Sequence, residues 1–244
     1  MPNPAATDPL DGIELVVFDK DGTLIEFDRM WGDWVAQLGS SLAAATGRPL
    51  AAQLFAMLGV DPTSGFIHPH GLMAATPMSR LRELVVEALE DEGIAGALAR
   101  AAVNDAWYAP DPVALATPVT DLPALLDRLA ARGIRAAVAT ADDRVPTERT
   151  LAALGIGDRF VAVACADDGY PGKPAPDPVL RIAAAAGVEP DRILVIGDAP
   201  ADMRMGLAAG ARRVVGVMTG VGDAATLGPL ADLVLDSIED LLPA

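Results

Sequence analysis

The stretch Leu15-Val16-Val17-Phe18-Asp19-Lys20-Asp21-Gly22-Thr23-Leu24 constrains the fold more than any other part of the chain. Four large apolar residues in a row, bounded by turn chemistry, suit a strand covered on both faces, as strands of parallel sheets are. The run ends abruptly in two carboxylates and a glycine turn. If the chain stays extended for two more residues, Asp19 and Asp21 project to the same side, because side chains alternate with a period of two. Crowded carboxylates repel, so a cation or a shared proton must offset the repulsion. Magnesium, which prefers oxygen ligands, is the simplest offset.

The rest of the chain is organised around that strand. After residue 118, helical patterns near 122–131, 145–154, 176–186 and 202–209 alternate with strand patterns near 134–139, 160–164, 193–196, 214–217 and 233–235. Such alternation predicts an α/β, Rossmann-like parallel sheet with helices on both faces. Residues 28–117 differ in character. Strand signals vanish there, and helices are expected near 30–46, 49–58, 79–90 and 94–107, with Gly47, Gly59 and Gly93 as stops. Between them, 59–76 reads as one long loop containing His68-Pro69-His70-Gly71. The expected organisation is therefore a core of 1–27 and 118–244 with an α-helical insertion of 28–117.

Composition narrows the function classes. Eighteen basic against 34 acidic residues leave a formal charge of −16, which opposes binding to nucleic acid phosphates or anionic lipid. Neither nucleic acid nor membrane is expected as a partner, and an anionic ligand has to be captured locally. The single cysteine, Cys165, lies in an apolar run and reads as packing; it leaves no intramolecular disulfide and no cysteine cluster for zinc. Residues 1–11 show no basic region followed by an apolar run, so the expected location is the cytoplasm. The oligomeric state, monomer or homodimer, stays open.

In parallel α/β sheets ligands gather beyond the carboxyl ends of the strands. The residues there are Asp19 and Asp21, then Thr140, then a region leading to Lys173, then Asp198 with Asp202 one helical turn on. Three carboxylates can hold one hard divalent cation, while a hydroxyl and an ammonium bind the oxygens of an anion. Phosphoryl transfer needs these parts, because its catalysis is chiefly positioning and charge neutralisation.

Four motifs in order carry a family resemblance: Asp19-Lys20-Asp21-Gly22-Thr23; Thr140 after an apolar strand; Gly172-Lys173-Pro174-Ala175-Pro176-Asp177-Pro178; and Gly197-Asp198-Ala199-Pro200-Ala201-Asp202. The chain resembles the haloacid dehalogenase-like hydrolase superfamily, and within it the phosphoglycolate phosphatase group with a helical cap of the C1 type. The resemblance implies a magnesium-dependent phosphatase of small phosphorylated metabolites, phosphoglycolate or a sugar phosphate. It implies that Asp19 is the nucleophile and a magnesium ligand, forming an aspartyl phosphate. Asp21 would protonate the leaving oxygen, activate water, and offer its backbone carbonyl to the metal. Thr140 would bond the phosphoryl group, Lys173 would neutralise it, Asp198 would complete the metal site, and Asp202 would orient Lys173 or metal-bound water. Backbone groups of Lys20, Asp21 and Ala141 would donate to phosphate. Asp21 favours phosphatases and phosphomutases over dehalogenases, which lack an acid at that place; a sugar-phosphate mutase is the alternative, and a non-catalytic binding protein a more distant one.

Other polar residues take plainer readings. The Lys20 side chain is expected to face away from the site, Asp142 and Asp143 to cap the following helix, and Asp167 and Asp168 to be solvated or in a turn. Trp31, Trp34 and Trp107 read as packing. His68 and His70 either contact substrate or mark a flexible surface. Gly216, Gly220 and Gly222 read as turns at the sheet edge, since no dinucleotide fingerprint surrounds them.

Overall fold

The computed structural model describes residues 8–63, 65–68, 71–76, 78–108 and 116–242. The chain divides into two compact units, one of Met1–Phe27 with Pro112–Ala244 and the other of Asp28–Asp111.

The first unit holds six strands: β1 (Leu15–Phe18), β2 (Arg135–Ala139), β3 (Phe160–Ala164), β4 (Ile193–Gly197), β5 (Arg213–Val217) and β6 (Leu233–Leu235). They form one sheet in the order β3-β2-β1-β4-β5-β6, and every pairing is parallel. β1 is central, in register with β2 through Val17 opposite Ala137 and with β4 through Val17 opposite Val195. That central place is why its four residues are all apolar and fully buried. They divide between two cores by period two. Val16 and Phe18 pack on one face with Leu125, Leu129, Leu151 and Ile238, while Leu15 and Val17 pack on the other with Val179, Ile182 and Met205.

Helices of this sheet unit, in the same numbering as those of the second unit, are α6 (Leu122–Ala131), α7 (Arg144–Ala153), α8 (Asp177–Ala186), α9 (Pro200–Ala209) and α10 (Ala224–Leu227). Asp121 caps α6 through the Ala124 amide at 3.0 Å. Gly187 and Gly210 end α8 and α9 in the left-handed conformation. The α/β parallel core and its helix–strand alternation match the sequence reading. The short α10, capped by Asp223 at 2.8 Å from the Thr226 amide, carries too few residues to show a helical period in the sequence.

The second unit contains α1 (Phe27–Thr46, its first residue shared with the sheet unit), α2 (Ala51–Leu58), α3 (Leu72–Ala75), α4 (Met78–Asp91) and α5 (Gly96–Ala106). Trp34 is fully buried, packs edge-on against Trp31 and Trp107, and donates its indole N–H to the Tyr108 carbonyl at 2.8 Å. The stretch 59–76 is not one long loop. An antiparallel bridge joins Val60 to Ile67 and α3 follows, a tight arrangement in which a Cβ on Gly59 would lie 2.6 Å from the Gly71 Cα. Local backbone closure of this kind leaves no apolar period to read. Among the described residues no helix is long and apolar enough to cross a membrane.

Candidate active site

The order of the sheet puts a topological switch point beside β1, since the chain runs outward to β2 and β3 on one side and to β4, β5 and β6 on the other. Asp19 is the first residue beyond β1, Thr140 the first beyond β2 and Asp198 the first beyond β4. All three are buried polar residues at the carboxyl ends of neighbouring strands. The Asp19 amide donates to the Ile196 carbonyl at 2.9 Å, and the Thr140 amide to Ala164 at 2.9 Å, so pairing with the adjacent strand fixes each one.

Lys173 reaches this point from the loop between β3 and α8, next to a cis Lys173–Pro174 bond. Its ammonium is bonded to Asp19 Oδ1 and lies 2.5 Å from Asp202 Oδ1. The other Asp202 oxygen accepts the Ala199 amide at 3.0 Å, which ties the start of α9 to the acid three residues on. Asp202 is thus held from both sides and holds Lys173 in turn. Carboxylate oxygens of Asp19, Asp198 and Asp202 lie within 4.8 Å of one another. Burial pushes the Asp19 and Asp198 carboxyls above their ordinary range; Lys173 opposes this at Asp19, and neighbouring acids add to it at both. Burial works against the charge of Lys173, but Asp19 and Asp202 outweigh it and hold the ammonium above its usual value. One ammonium faces three buried acids. An all-oxygen donor set with that deficit of positive charge fits a hard divalent cation.

Asp198 sits in a cradle of glycines. A Cβ on Gly22 or Gly220 would come within 2.5 or 2.0 Å of Asp198 Oδ2, and one on Gly222 within 2.2 Å of its carbonyl oxygen. The Val221 amide donates to Asp198 Oδ2 at 2.7 Å, and the Thr219 hydroxyl donates to the Gly22 carbonyl at 2.5 Å. Gly216 lies within β5 instead of a turn, and the turn reading of Gly220 and Gly222 leaves out their close approach to Asp198. The 219–222 loop anchors Asp198 and ties the end of β5 to the turn after Asp21. Its signal was present as two closely spaced glycines after a strand, but spacing alone does not say what approaches them.

A second charged group lies beside the first. Lys20 does not face away: its side chain is buried, with the ammonium 2.6 Å from Asp21 Oδ1 and 3.0 Å from Asp142 Oδ2. Burial raises the Asp21 carboxyl to about 6, against the pull of Lys20, with Asp142 and Asp19 adding to the rise. Burial likewise opposes the charge on Lys20, but Asp21 and Asp142 outweigh it and raise its value. Asp142 is thus an ion-pair partner of Lys20 instead of a cap. Asp143 occupies the N-cap position of α7 without a side-chain capping bond. The Asp142 amide donates to Thr140 Oγ1 at 3.1 Å, which leaves the hydroxyl proton of Thr140 for another acceptor.

Asp168 is a pin in place of a solvated acid. It accepts the Cys165 amide at 2.8 Å, the Tyr170 hydroxyl at 2.9 Å and a fork from Arg144 at 2.7 and 2.9 Å, anchoring the loop that leads to Lys173. Cys165 itself is buried. Ala141 is exposed at the rim just past Thr140. His68 belongs to the helical unit, where it is exposed and edge-on to Phe66 at 5.4 Å, and His70 lies outside the described residues.

The haloacid dehalogenase-like hydrolase family matches residues 13–210. The phosphoglycolate phosphatase of Rhodospirillum rubrum is 34% identical over 82% of this chain and 78% of its own length. That of Pectobacterium atrosepticum is 30% identical over 96% of this chain and 93% of its own. Among solved structures, a HAD family hydrolase from Deinococcus radiodurans R1 with bound phosphate and sodium superposes with a TM-score of 0.66 at 23% identity, covering 94% of this chain and 93% of that one. A beta-phosphoglucomutase from Clostridium difficile gives a TM-score of 0.59 at 21% identity, covering 94% and 93%. These two likenesses are of fold. With a family match across residues 13–210 and a relative 34% identical over 82% of this chain and 78% of its own length, this chain belongs to the haloacid dehalogenase-like hydrolases.

Proposed function

We propose that this chain is a magnesium-dependent phosphatase of small phosphorylated metabolites, of the phosphoglycolate or sugar phosphate type, working in the cytoplasm through an aspartyl phosphate on Asp19. The helical unit Asp28–Asp111 is then the cap domain. The observation that carries the reading is Lys173 bonded to Asp19 and ion-paired with Asp202, with Asp198 in the same cluster and Asp21 two residues from the nucleophile. The similarity to two phosphoglycolate phosphatases supports the substrate class.

The steps follow from the side chains. An Asp19 oxygen attacks phosphorus as the bond to the leaving oxygen breaks, and the Asp21 carboxylic acid gives that oxygen its proton. Burial favours the protonated form of Asp21 at the start of this step. The resulting Asp21 carboxylate then takes a proton from water. That water attacks phosphorus, the bond to Asp19 breaks, and phosphate departs with the Asp19 carboxylate restored. Lys173 faces the charge that grows on the nucleophile and phosphoryl oxygens, and the Thr140 hydroxyl donates to one of those oxygens. Asp19, Asp198 and the Asp21 backbone carbonyl would hold magnesium, which when bound neutralises charge on the nucleophile and phosphoryl group.

Phosphate release from p-nitrophenyl phosphate and from a panel of phosphorylated metabolites tests this. Turnover should require magnesium, stop with EDTA and yield inorganic phosphate. Chelator-insensitive turnover contradicts the metal site, and an isomerised sugar phosphate in place of phosphate would make the chain a mutase.

A further inference from the structure

Lys20 lies between the two acids at the tip of β1, and no step above uses its side chain. It is only 1% exposed, among the most buried large side chains of the protein. Burying an ammonium costs free energy that an apolar residue of similar volume would avoid, so packing alone does not account for it. Its two partners come from different strand ends. Asp21 follows β1, and Asp142 stands two residues beyond Thr140, to whose hydroxyl oxygen the Asp142 amide is bonded. One ammonium therefore links the proton-transfer acid to the loop that carries the phosphoryl-binding hydroxyl. Asp142 keeps a side chain 38% exposed, so it can hold the ammonium from the solvent side without a second desolvated charge.

We propose that Lys20 is a positioning residue for proton transfer. By holding Asp21 Oδ1, its ammonium fixes the carboxyl in one orientation and leaves Oδ2 to serve the leaving-group oxygen; Asp142 holds the ammonium in place. Proton transfer falls steeply when the donor is displaced, so a carboxyl free to rotate spends less time in reach of its target. The inference rests on the reading of Asp21 as the acid.

The test is the dependence of single-turnover rate on leaving group. p-Nitrophenolate departs without much help from a proton, whereas the alkoxide of phosphoglycolate, or of the alkyl phosphate that the wild type turns over best, requires one. Lys20→Met should slow the alkyl ester by about 30- to 100-fold and p-nitrophenyl phosphate by less than about fivefold. Asp142→Asn should show the same selectivity at about three- to tenfold, and it decides the matter if Lys20→Met does not fold. Equal losses on the two esters, or none, overturn the proposal as a merely structural lysine would. A wild type inert toward both esters overturns the reading of Asp21 as the acid, and this inference with it.

Discussion

Two lysines lie buried at the carboxyl end of one sheet, each between two aspartates, and they differ in what they hold. Lys173 crosses from a distant loop to the tip of β1, bonded to Asp19 and ion-paired with Asp202, inside a group of acids suited to a cation. Lys20 is a neighbour in sequence of the acid it holds and is braced by Asp142 from the next strand end. In the proposed chemistry the first serves charge on the phosphoryl group and the second serves a proton. The same residue type in similar burial thus does different work because the carboxylates around it differ.

The largest expected effect that sharpens this contrast is Lys173→Met. Loss of the ammonium facing the phosphoryl oxygens should lower kcat about 10²- to 10³-fold, and by a similar factor for p-nitrophenyl phosphate and for an alkyl ester. Steady-state kinetics on both substrates checks it. A loss concentrated on the alkyl ester would give Lys173 the role assigned to Lys20 and dissolve the comparison.

How much of this was legible in the sequence follows the same division. β1 declared itself because a strand buried on both faces must be apolar without interruption, and Asp19 and Asp198 followed because each ends such a strand. Lys173 and Asp202 were carried by motif spacing. Lys20 was misread because alternation along an extended strand sends it to the side opposite Asp19 and Asp21, whereas the chain turns immediately after it: Leu24 and Ile25 amides both return to the Lys20 carbonyl, at 2.9 and 3.1 Å. The turn brings the lysine and Asp21 together in a way that no period of two describes. Asp142 and Asp168 were read by their commonest local roles, capping for the first and solvation or a turn for the second. Their ion-pair partners, Lys20 and Arg144, lie 122 and 24 residues away in sequence and meet them at the ends of paired strands, while the Cys165 and Tyr170 bonds to Asp168 are local. The glycines of the 219–222 loop are the same case, since their need for space is set by Asp198 from another strand.

A smaller effect separates the acids themselves. Asp19, Asp198 and Asp21 all have carboxyls raised by burial, Asp21 from 3.8 to about 6. A raised carboxyl binds its proton more tightly in the folded chain than in the unfolded one. The contribution of these groups to stability without metal is therefore present at low pH and is lost as pH rises, for Asp21 between about 4 and 6. Magnesium binds the deprotonated Asp19 and Asp198, so its stabilising effect should grow as pH rises. Thermal unfolding with magnesium and with EDTA should differ by about a degree or less at pH 5 and by several degrees at pH 7. A gap that does not change with pH would separate the acid cluster from metal binding.

The central claim is that Asp19 takes the phosphoryl group. Mixing the magnesium-loaded protein with its best phosphomonoester, quenching in acid within one turnover and mapping the peptides by mass spectrometry tests it most directly. The account predicts a phosphorylated peptide spanning 13–25 with the group on Asp19, absent from Asp19→Asn, which should also be inactive. Turnover by the wild type with no phosphate on Asp19, or undiminished turnover by Asp19→Asn, would contradict it.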